Sequence, residues 1–483
     1  MALINPGPGE IIDKGRLHVN ADHLYPPLGM CYVSAVLKKE NYDVDLIDQA
    51  ALGLNLKEIV NWVKKIDPSI IGFSTLTTSG SGISAAETAK EVKSWNPNVK
   101  IAFGNRHATV NDYRILKKYP EVDICIRDEG EYTFLELVKA FEKNTSLKDI
   151  RGITYRNNGR IIRNEKRELI KHLDILPFPD RDSLNFRYRV SYGNMELVSE
   201  KSASFVSSRG CPYQCTFCYG KRNVGYRTRS IENILEEIQY LENEGYKSII
   251  FVDDNFTVSK KKVIKLCKLM RKNQIDINWY CEGRVNQVSD EMLREMRLAN
   301  CRTLYYGVES ANQRILDYYR KEITPAQSIL AVKKARKAKI PFVVSSFVVG
   351  APGETFDEIY NTLKFAQKLD IDFPLYNILG ATPGNDIWDE MVEKNLINEE
   401  NFWEEGVRVS DIDPNGVPTK IISNLILKMF REFFLNPKYL SKALFRATIN
   451  KYRAIKYISM LMHNIKNFKD FRGVRSFWNP DNV

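Results

Sequence analysis

Cys211-Pro212-Tyr213-Gln214-Cys215-Thr216-Phe217-Cys218 places three cysteines inside eight residues, at x3 and x2 spacing. The stretch follows the β-prone run Ser204-Phe205-Val206-Ser207-Ser208 and the turn formers Arg209-Gly210. A strand that runs into a cysteine-crowded loop reads as a metal site, because thiolates select soft metals and iron–sulfur clusters. A closed zinc or iron–sulfur site wants four ligands, and no His or fourth Cys lies nearby. The motif therefore leaves one coordination position open. A zinc knuckle short of one ligand, or three core cysteines, are the alternatives.

Cys-x3-Cys-x2-Cys with an aromatic residue before the last cysteine, here Phe217, resembles the signature of radical S-adenosylmethionine (SAM) enzymes. The resemblance implies that Cys211, Cys215 and Cys218 hold three irons of a 4Fe-4S cluster, leaving the fourth iron to the amino and carboxylate groups of SAM. One electron from the cluster then splits the sulfonium, giving methionine and a 5′-deoxyadenosyl radical that abstracts a hydrogen atom.

Around and after the motif, strand patterns near 203–207, 248–252, 278–282, 303–308, 342–348 and 374–379 alternate with helical ones near 230–244, 259–272, 289–299, 311–319, 325–338 and 355–369. Six βα units fit the open, partial (β/α)6 barrel of the radical family, with active residues at the C-terminal ends of strands. By that resemblance Asp254 would hold the SAM amino group, Arg284 its carboxylate in a bidentate pair, and Glu309 the ribose hydroxyls. Gly350 and Gly353 would let the adenosyl group approach, and Phe217 would flank the adenine. Asp254, Glu309 and Glu354 also suit helix N-caps or first-turn acids. Pro383-Gly384-Asn385 stands where relatives carry a Pro-Gly-Thr loop, and no role carries over to it.

Ahead of the motif, residues 1 to about 147 repeat shorter βα units, with strands near 2–4, 44–47, 70–73, 100–103 and 122–126 and helices near 29–40, 56–66, 81–95, 111–118 and 131–143. Units of this length predict a doubly wound parallel sheet, which binds ligands outside the carboxyl ends of its strands. Neither a dinucleotide nor a phosphate-loop glycine motif occurs there. A doubly wound domain ahead of a radical SAM domain resembles the cobalamin-binding domain of the class B subfamily. Pro27-Leu28-Gly29, Gly104 to His107 and Gly130-Glu131 are its cues. On that resemblance Asn5, Asp48, Thr75, Ser79, Gly104, His107 and Glu131 are the candidate cobalamin-binding residues. The Asp-x-His-x-x-Gly motif of other cobalamin proteins is absent, so no histidine is expected below the cobalt. A turn-capping role suits His107 equally well.

Residues 148–196 read as a linker with an Asn158-Gly159 hairpin, 197–420 as the radical SAM core, and 421–483 as a basic helical region. From Lys420 to Val483 there are 13 Lys or Arg against Glu432, Asp470 and Asp481, a net of +10 in a chain whose total is +11. A solvated basic face is the ordinary reading of that tail, and a peripheral contact with anionic membrane the sharper one. No RNA-binding module accompanies the charge, which argues against nucleic acid. The remaining cysteines, Cys31, Cys125, Cys267, Cys281 and Cys301, are scattered and read as buried free thiols. Together with cluster chemistry they predict a reducing cytoplasm. The start lacks a signal-peptide pattern and no 18-residue apolar run occurs.

The implied activity is that of a cobalamin-dependent radical SAM enzyme, methylating an unactivated carbon or phosphorus centre with cobalamin as methyl carrier. Its expected partners are a small-molecule or lipid-like substrate and an electron donor such as ferredoxin or flavodoxin. Oxidative cyclisation or rearrangement of a tetrapyrrole, lipid or isoprenoid, as in the anaerobic Mg-protoporphyrin ester cyclase group, is the alternative reaction. A methylthiotransferase would need three further cluster cysteines in the first domain, which holds only Cys31 and Cys125. A non-catalytic cobalamin or redox sensor would have no need of Arg284, Glu309 or the Gly350–Glu354 loop.

Overall fold

The computed structural model describes residues 1–7, 26–76, 80–184, 186, 188, 191–192, 195–196, 201–218, 225–404, 406–413 and 415–449. The chain forms two compact units. The first takes Met1–Tyr188, Thr382–Gly384 and Asn398–Gly406, and the second takes the rest.

In the first unit five parallel strands are formed by short apolar runs: β1 Ala2–Asn5, β2 Asp45–Asp48, β3 Ile70–Ser74, β4 Lys100–Gly104 and β5 Ile124–Ile126. The helices that join them are α1 Leu28–Lys39, α2 Leu56–Ile66, α3 Ser81–Trp95 and α4 Asn105–Lys118, with α5 Glu131–Glu142 following β5. The sheet order is β2-β1-β3-β4-β5, so the winding reverses between β1 and β3. That reversal opens a crevice at the carboxyl edge of the sheet. The hairpin expected in the linker belongs to this sheet instead. Its strands β6 Ile153–Asn157 and β7 Arg160–Arg163 extend the sheet antiparallel beyond β5, because Ile153 and Tyr155 are apolar and bury while the Asn158-Gly159 turn stays at the surface.

The second unit holds six parallel strands in sequential order: β8 Ser202–Phe205, β9 Ser248–Phe251, β10 Asn278–Arg284, β11 Cys301–Glu309, β12 Phe342–Val349 and β13 Phe373–Ile378. Helices α6 Ile231–Asn243, α7 Lys260–Lys272, α8 Asp290–Leu298, α9 Pro325–Lys337 and α10 Phe356–Phe365 lie between them. Each opens on a Ser or Thr whose side chain accepts from the first turn: Ser230, Ser259, Ser289, Thr324 and Thr355. Such caps satisfy amides that the helix leaves unpaired. All five helices bury their apolar stripes in one core with the same face of the sheet, through Phe251, Trp279, Tyr306 and Phe347. A parallel sheet covered by helices on one face only is singly wound, like part of a (β/α) barrel. The opposite face carries Phe342 and Val344 towards the amino ends of the strands and polar side chains such as Glu309 and Ser346 towards their carboxyl ends.

Two tail helices complete this unit. α11 Thr419–Phe434 buries Ile422, Met429 and Phe433 in the main core. α12 Pro437–Ile449 sets Ala443 against Phe342, Val344 and Phe373.

Candidate active site

The cysteine loop leaves the end of β8 and is tied down at both ends. Asp253, just past β9, accepts from the amides of Ser207 at 2.7 Å and Ser208 at 3.0 Å, and Asp254 accepts from that of Gly210 at 3.0 Å. Further along, Thr216 donates through its amide to the Tyr319 carbonyl at 3.1 Å and through its hydroxyl to that of Tyr318 at 3.2 Å. Phe217 meets the Tyr319 ring edge-on, with centroids 5.0 Å apart. Asn385, to which the sequence assigned no role, donates to the Phe217 carbonyl and caps the next helix.

All three motif cysteines are thiols rather than disulfide partners, Cys215 buried and Cys211 and Cys218 half-buried. Burial pushes the Cys211 thiol above its ordinary range. Arg284 Nη1 donates to Cys215 Sγ at 3.6 Å. Among the described residues no three His, Cys, Asp or Glu side chains stand close enough to form a metal site as they are. The three thiols share one eight-residue loop.

Beside the loop, on the face of the sheet opposite the helices, is a cavity of about 240 Å³. Phe217, Asp254, Arg284 and Glu309 line it together with Lys321 and Ser346. Four of the six residues expected around SAM thus meet at one place. Glu309 reaches it through a register shift in the β11–β12 pairing and a left-handed backbone, φ 63°. Such a bulge re-aims a side chain, and a non-glycine residue in that region stores strain typical of functional sites. Glu309 accepts from Lys321 Nζ at 2.7 Å and from Ser346 Oγ at 3.0 Å. A Cβ on Gly307 would stand 2.4 Å from Glu309 Oε1 and 2.6 Å from Lys321 Nζ, so the missing side chain makes room for the pair.

Arg284, which lines the cavity, also makes contacts within the protein. Its guanidinium lies over the Tyr213 ring, 3.6 Å from the centroid, and its Nη2 donates to the Lys321 carbonyl. Gly350 and Gly353 do not line the cavity. Both adopt positive φ in a turn that closes on Glu354, which accepts from the amides of Gly350 at 2.6 Å and Ala351 at 3.0 Å. Burial raises the Glu354 carboxyl to about 7. The glycines therefore shape the loop, and Thr355 rather than Glu354 caps the helix.

In the first unit, Asn5, Asp48, Thr75 and Gly104 stand at the carboxyl ends of β1, β2, β3 and β4. Asp48 is buried and held by Asn5 at 2.8 Å, Tyr188 at 2.7 Å and the Ala51 amide at 3.0 Å; burial pushes its carboxyl upward. Glu131 is buried in the first turn of α5. Ser79 lies outside the described residues. His107 departs most from a cofactor-facing residue. Its ring is 1% exposed, stacks on Trp403 at 5.5 Å and 3°, and has Asn111 Nδ2 3.2 Å from Nδ1. The Cβ that Gly82 lacks would stand 2.7 Å from Nε2. The imidazole is enclosed on every described side, and burial lowers its pKa to about 4.

Comparison with known proteins gives this geometry a family. Residues 205–366 match the Radical SAM superfamily, and residues 17–138 match the B12 binding domain. An uncharacterized methyltransferase of Pyrococcus horikoshii, PH0819, is 37% identical over 428 residues, 87% of this chain and 90% of that protein. The chain belongs to the cobalamin-dependent radical SAM enzymes. The anaerobic magnesium-protoporphyrin IX monomethyl ester cyclase of Cereibacter sphaeroides is 26% identical over 87% of the chain and 68% of its own length. The fold is similar to that of the radical SAM methyltransferase TsrM of Kitasatospora setae, solved with cobalamin and a 4Fe-4S cluster bound. The TM-score is 0.66 at 16% identity, over 81% of this chain and 74% of that one.

The cofactors of a cobalamin-dependent radical SAM enzyme are a 4Fe-4S cluster, SAM and cobalamin, and the residues present suit them. Three soft thiols on one loop match the cluster. An adjoining cavity with an aromatic ring, carboxylates and a cation matches a zwitterionic nucleoside. A sheet edge at a winding reversal matches a large polar ligand.

Proposed function

We propose that this enzyme transfers a methyl group to an unactivated carbon or phosphorus centre of a small or lipid-like molecule. The observation that carries this reading is the 37% identity to a methyltransferase across 87% of the chain, with the cysteine loop set against a charged cavity. In this reading Cys211, Cys215 and Cys218 hold the cluster, while Phe217, Asp254 and Glu309 frame SAM. Asn5, Thr75 and Gly104 border the cobalamin site, and Asp48 supports Asn5 from below. When bound, the cluster supplies the electron that cleaves SAM, and the corrinoid supplies a methyl carrier.

The protein's own contribution is positioning and exclusion of water. Asp253 and Asp254 hold the root of the cysteine loop, Tyr318 and Tyr319 hold its far end, and Arg284 offers a charged donor to Cys215. A donor to a coordinating sulfur tunes a cluster, as surrounding hydrogen bonds do for metal ligands in general. An electron must come from outside, from a donor such as ferredoxin or flavodoxin.

The test uses protein reconstituted anaerobically with iron, sulfide and cobalamin, reduced, and given SAM. Release of 5′-deoxyadenosine and S-adenosylhomocysteine, with a change in the cobalamin absorption spectrum, is the expected result, and Cys215→Ala should release no deoxyadenosine. Deoxyadenosine without S-adenosylhomocysteine would favour the second reading, oxidative cyclisation, which the alignment with the ester cyclase supports.

Peripheral contact with anionic lipid belongs to the same reading. No helix among the described residues is long and apolar enough to cross a membrane, but Leu444 and Phe445 on α12 are 69% and 66% exposed beside a basic tail. Flotation with anionic vesicles should weaken in Leu444→Glu/Phe445→Glu, and equal flotation would remove this part of the proposal.

A further inference from the structure

Between β8 and α6 the cysteine loop leaves the sheet and returns through a neck. Ser208-Arg209 pairs antiparallel with Arg227-Thr228, and Cys211, Cys215 and Cys218 all lie between those two strands in the chain. Bringing three side chains of a loop to one point costs conformational entropy. A fixed neck lowers that cost, because a site is precise only when the residues beneath it are held.

The first residue after the neck is Arg229, which no sequence cue used above names. It is 4% exposed, and its guanidinium lies over Phe205 at the end of β8, 5.2 Å from the ring centroid. Nε donates to Asn233 Oδ1 at 2.7 Å and Nη2 to the Asn233 carbonyl at 3.2 Å. Nη1 donates to Glu237 and, at 2.9 Å, to the Val206 carbonyl. Asn233 and Glu237 belong to α6, whereas Val206 belongs to the chain that enters the neck. The Arg229 amide takes the next carbonyl of that chain, Ser207, at 3.0 Å. Asp253 meanwhile holds the amides of Ser207 and Ser208. The entering chain is gripped through its carbonyls by Arg229 and through its amides by Asp253.

Fold stability by itself does not call for this arrangement. Glu237 is fully buried, and a buried ion pair returns about what its desolvation costs, so two apolar side chains of similar volume would serve the core as well. Two apolar side chains would leave the Val206 carbonyl unheld.

We propose that Arg229 is a positioning residue for the iron–sulfur site: with its charge balanced by Glu237, it ties the neck of the cysteine loop to α6 and so fixes the spacing of the three thiolates. The inference rests on the reading of that loop as the cluster site. Arg229 touches neither the cysteines nor the cavity, and no bond is made or broken through it. Loosening the neck lets the thiolates part and water approach the cluster, whose potential depends on solvent exposure and on hydrogen bonds to its sulfurs.

The experiment compares reconstituted holoenzymes. Arg229→Met alone would leave Glu237 buried without its cation, so the principal variant is the double one, Arg229→Met/Glu237→Leu, which leaves no orphan charge. Its urea midpoint should stay at the wild-type value while its cluster is lost to the chelator EDTA about tenfold faster, the factor for one missing hydrogen bond to a charged group. The midpoint potential of its cluster should rise. Arg229→Lys keeps a cation for Glu237 but lacks the planar fork that reaches α6 and the neck together, and it too should lose its cluster faster than the wild type. Wild-type cluster retention and potential in a folded double variant would overturn the inference. So would cluster loss that only follows a lowered urea midpoint in both variants, which would make Arg229 a residue of the fold alone. A wild type that holds no 4Fe-4S cluster would instead overturn the reading of the cysteine loop.

Discussion

Gly307 leaves room on β11 that a larger residue would take from the Glu309–Lys321 pair. In Gly307→Ala the new Cβ would meet the far ends of two flexible side chains, 2.4 and 2.6 Å away, with no backbone clash. The pair can shift, so the fold should lose no more than about 1–2 kcal/mol, at the low end for overpacking. SAM affinity should still fall by about tenfold, one 1.4 kcal/mol step. Urea unfolding and equilibrium dialysis with SAM on the same sample separate the two effects. At His107 the relevant variable is pH. Its folded pKa, about 4, lies below the ordinary 6.5 because burial disfavours the imidazolium. The stability it contributes is therefore present above pH 6.5 and is lost as the pH falls towards 4. Between pH 7.5 and 5 the wild-type first unit should lose thermal stability more steeply than His107→Phe, and parallel curves would show that another group governs the acid limb. Neither residue's partner was legible from its neighbours in the chain. Lys321 lies 12 positions beyond Glu309, and Trp403 lies 296 beyond His107.

Tail helix α12 shows the same limit for a whole element. Its charges read as a solvated basic face, but Lys442 pairs with Asp370 at 3.2 Å and Arg446 with Asp372 at 3.4 Å. Tyr439 donates to the Asp372 carbonyl at 3.0 Å. Asp372 is fully buried, pairs also with Arg336 at 2.7 Å, and accepts the Val343 amide at 2.7 Å. Removing the two sides of this network should have unequal effects. Asp372→Ala leaves the Val343 amide unmatched and Arg336 with Asp370 alone, at 3.7 Å, and should cost about 3 kcal/mol, the low end for breaking a buried pair. Arg446→Ala leaves Asp372 paired with Arg336 and should cost about 1–2 kcal/mol. Equal losses in urea unfolding would mean that the helix, and not the buried carboxylate, anchors the contact. By contrast, most βα elements were legible to within a few residues, although α4 begins at Asn105 and not near 111. Their apolar runs and Ser or Thr caps are local signals, and local signals decide where a helix begins.

At the scale of the whole molecule, the first unit is not continuous in the chain. Asn398–Gly406 returns to it, bringing Trp403 into its core beside Phe103 and Ile115. Arg114 pairs with Glu399 and Lys118 with Glu404, and Asn111 donates to the Trp403 carbonyl at 3.4 Å. Trp403→Ala in the full chain should destabilise the first unit by about 3–5 kcal/mol. Hydrogen exchange should show faster opening of α4 while β11 and β12 keep their protection, and uniform loss would show that the units unfold as one. By itself the sequence determined the α/β class, the order of strands and helices, and the cysteine loop with its three-thiol donor set. Those features rest on periodicity, capping and spacing, which are written in adjacent residues. Only the tertiary structure decided that the hairpin joins the first sheet, that His107 is enclosed, that Arg284 also makes contacts within the protein, and that Lys321 stands in the cavity. Each of those depends on which distant side chains share a buried volume, and packing across long sequence separations leaves no periodic trace in the chain.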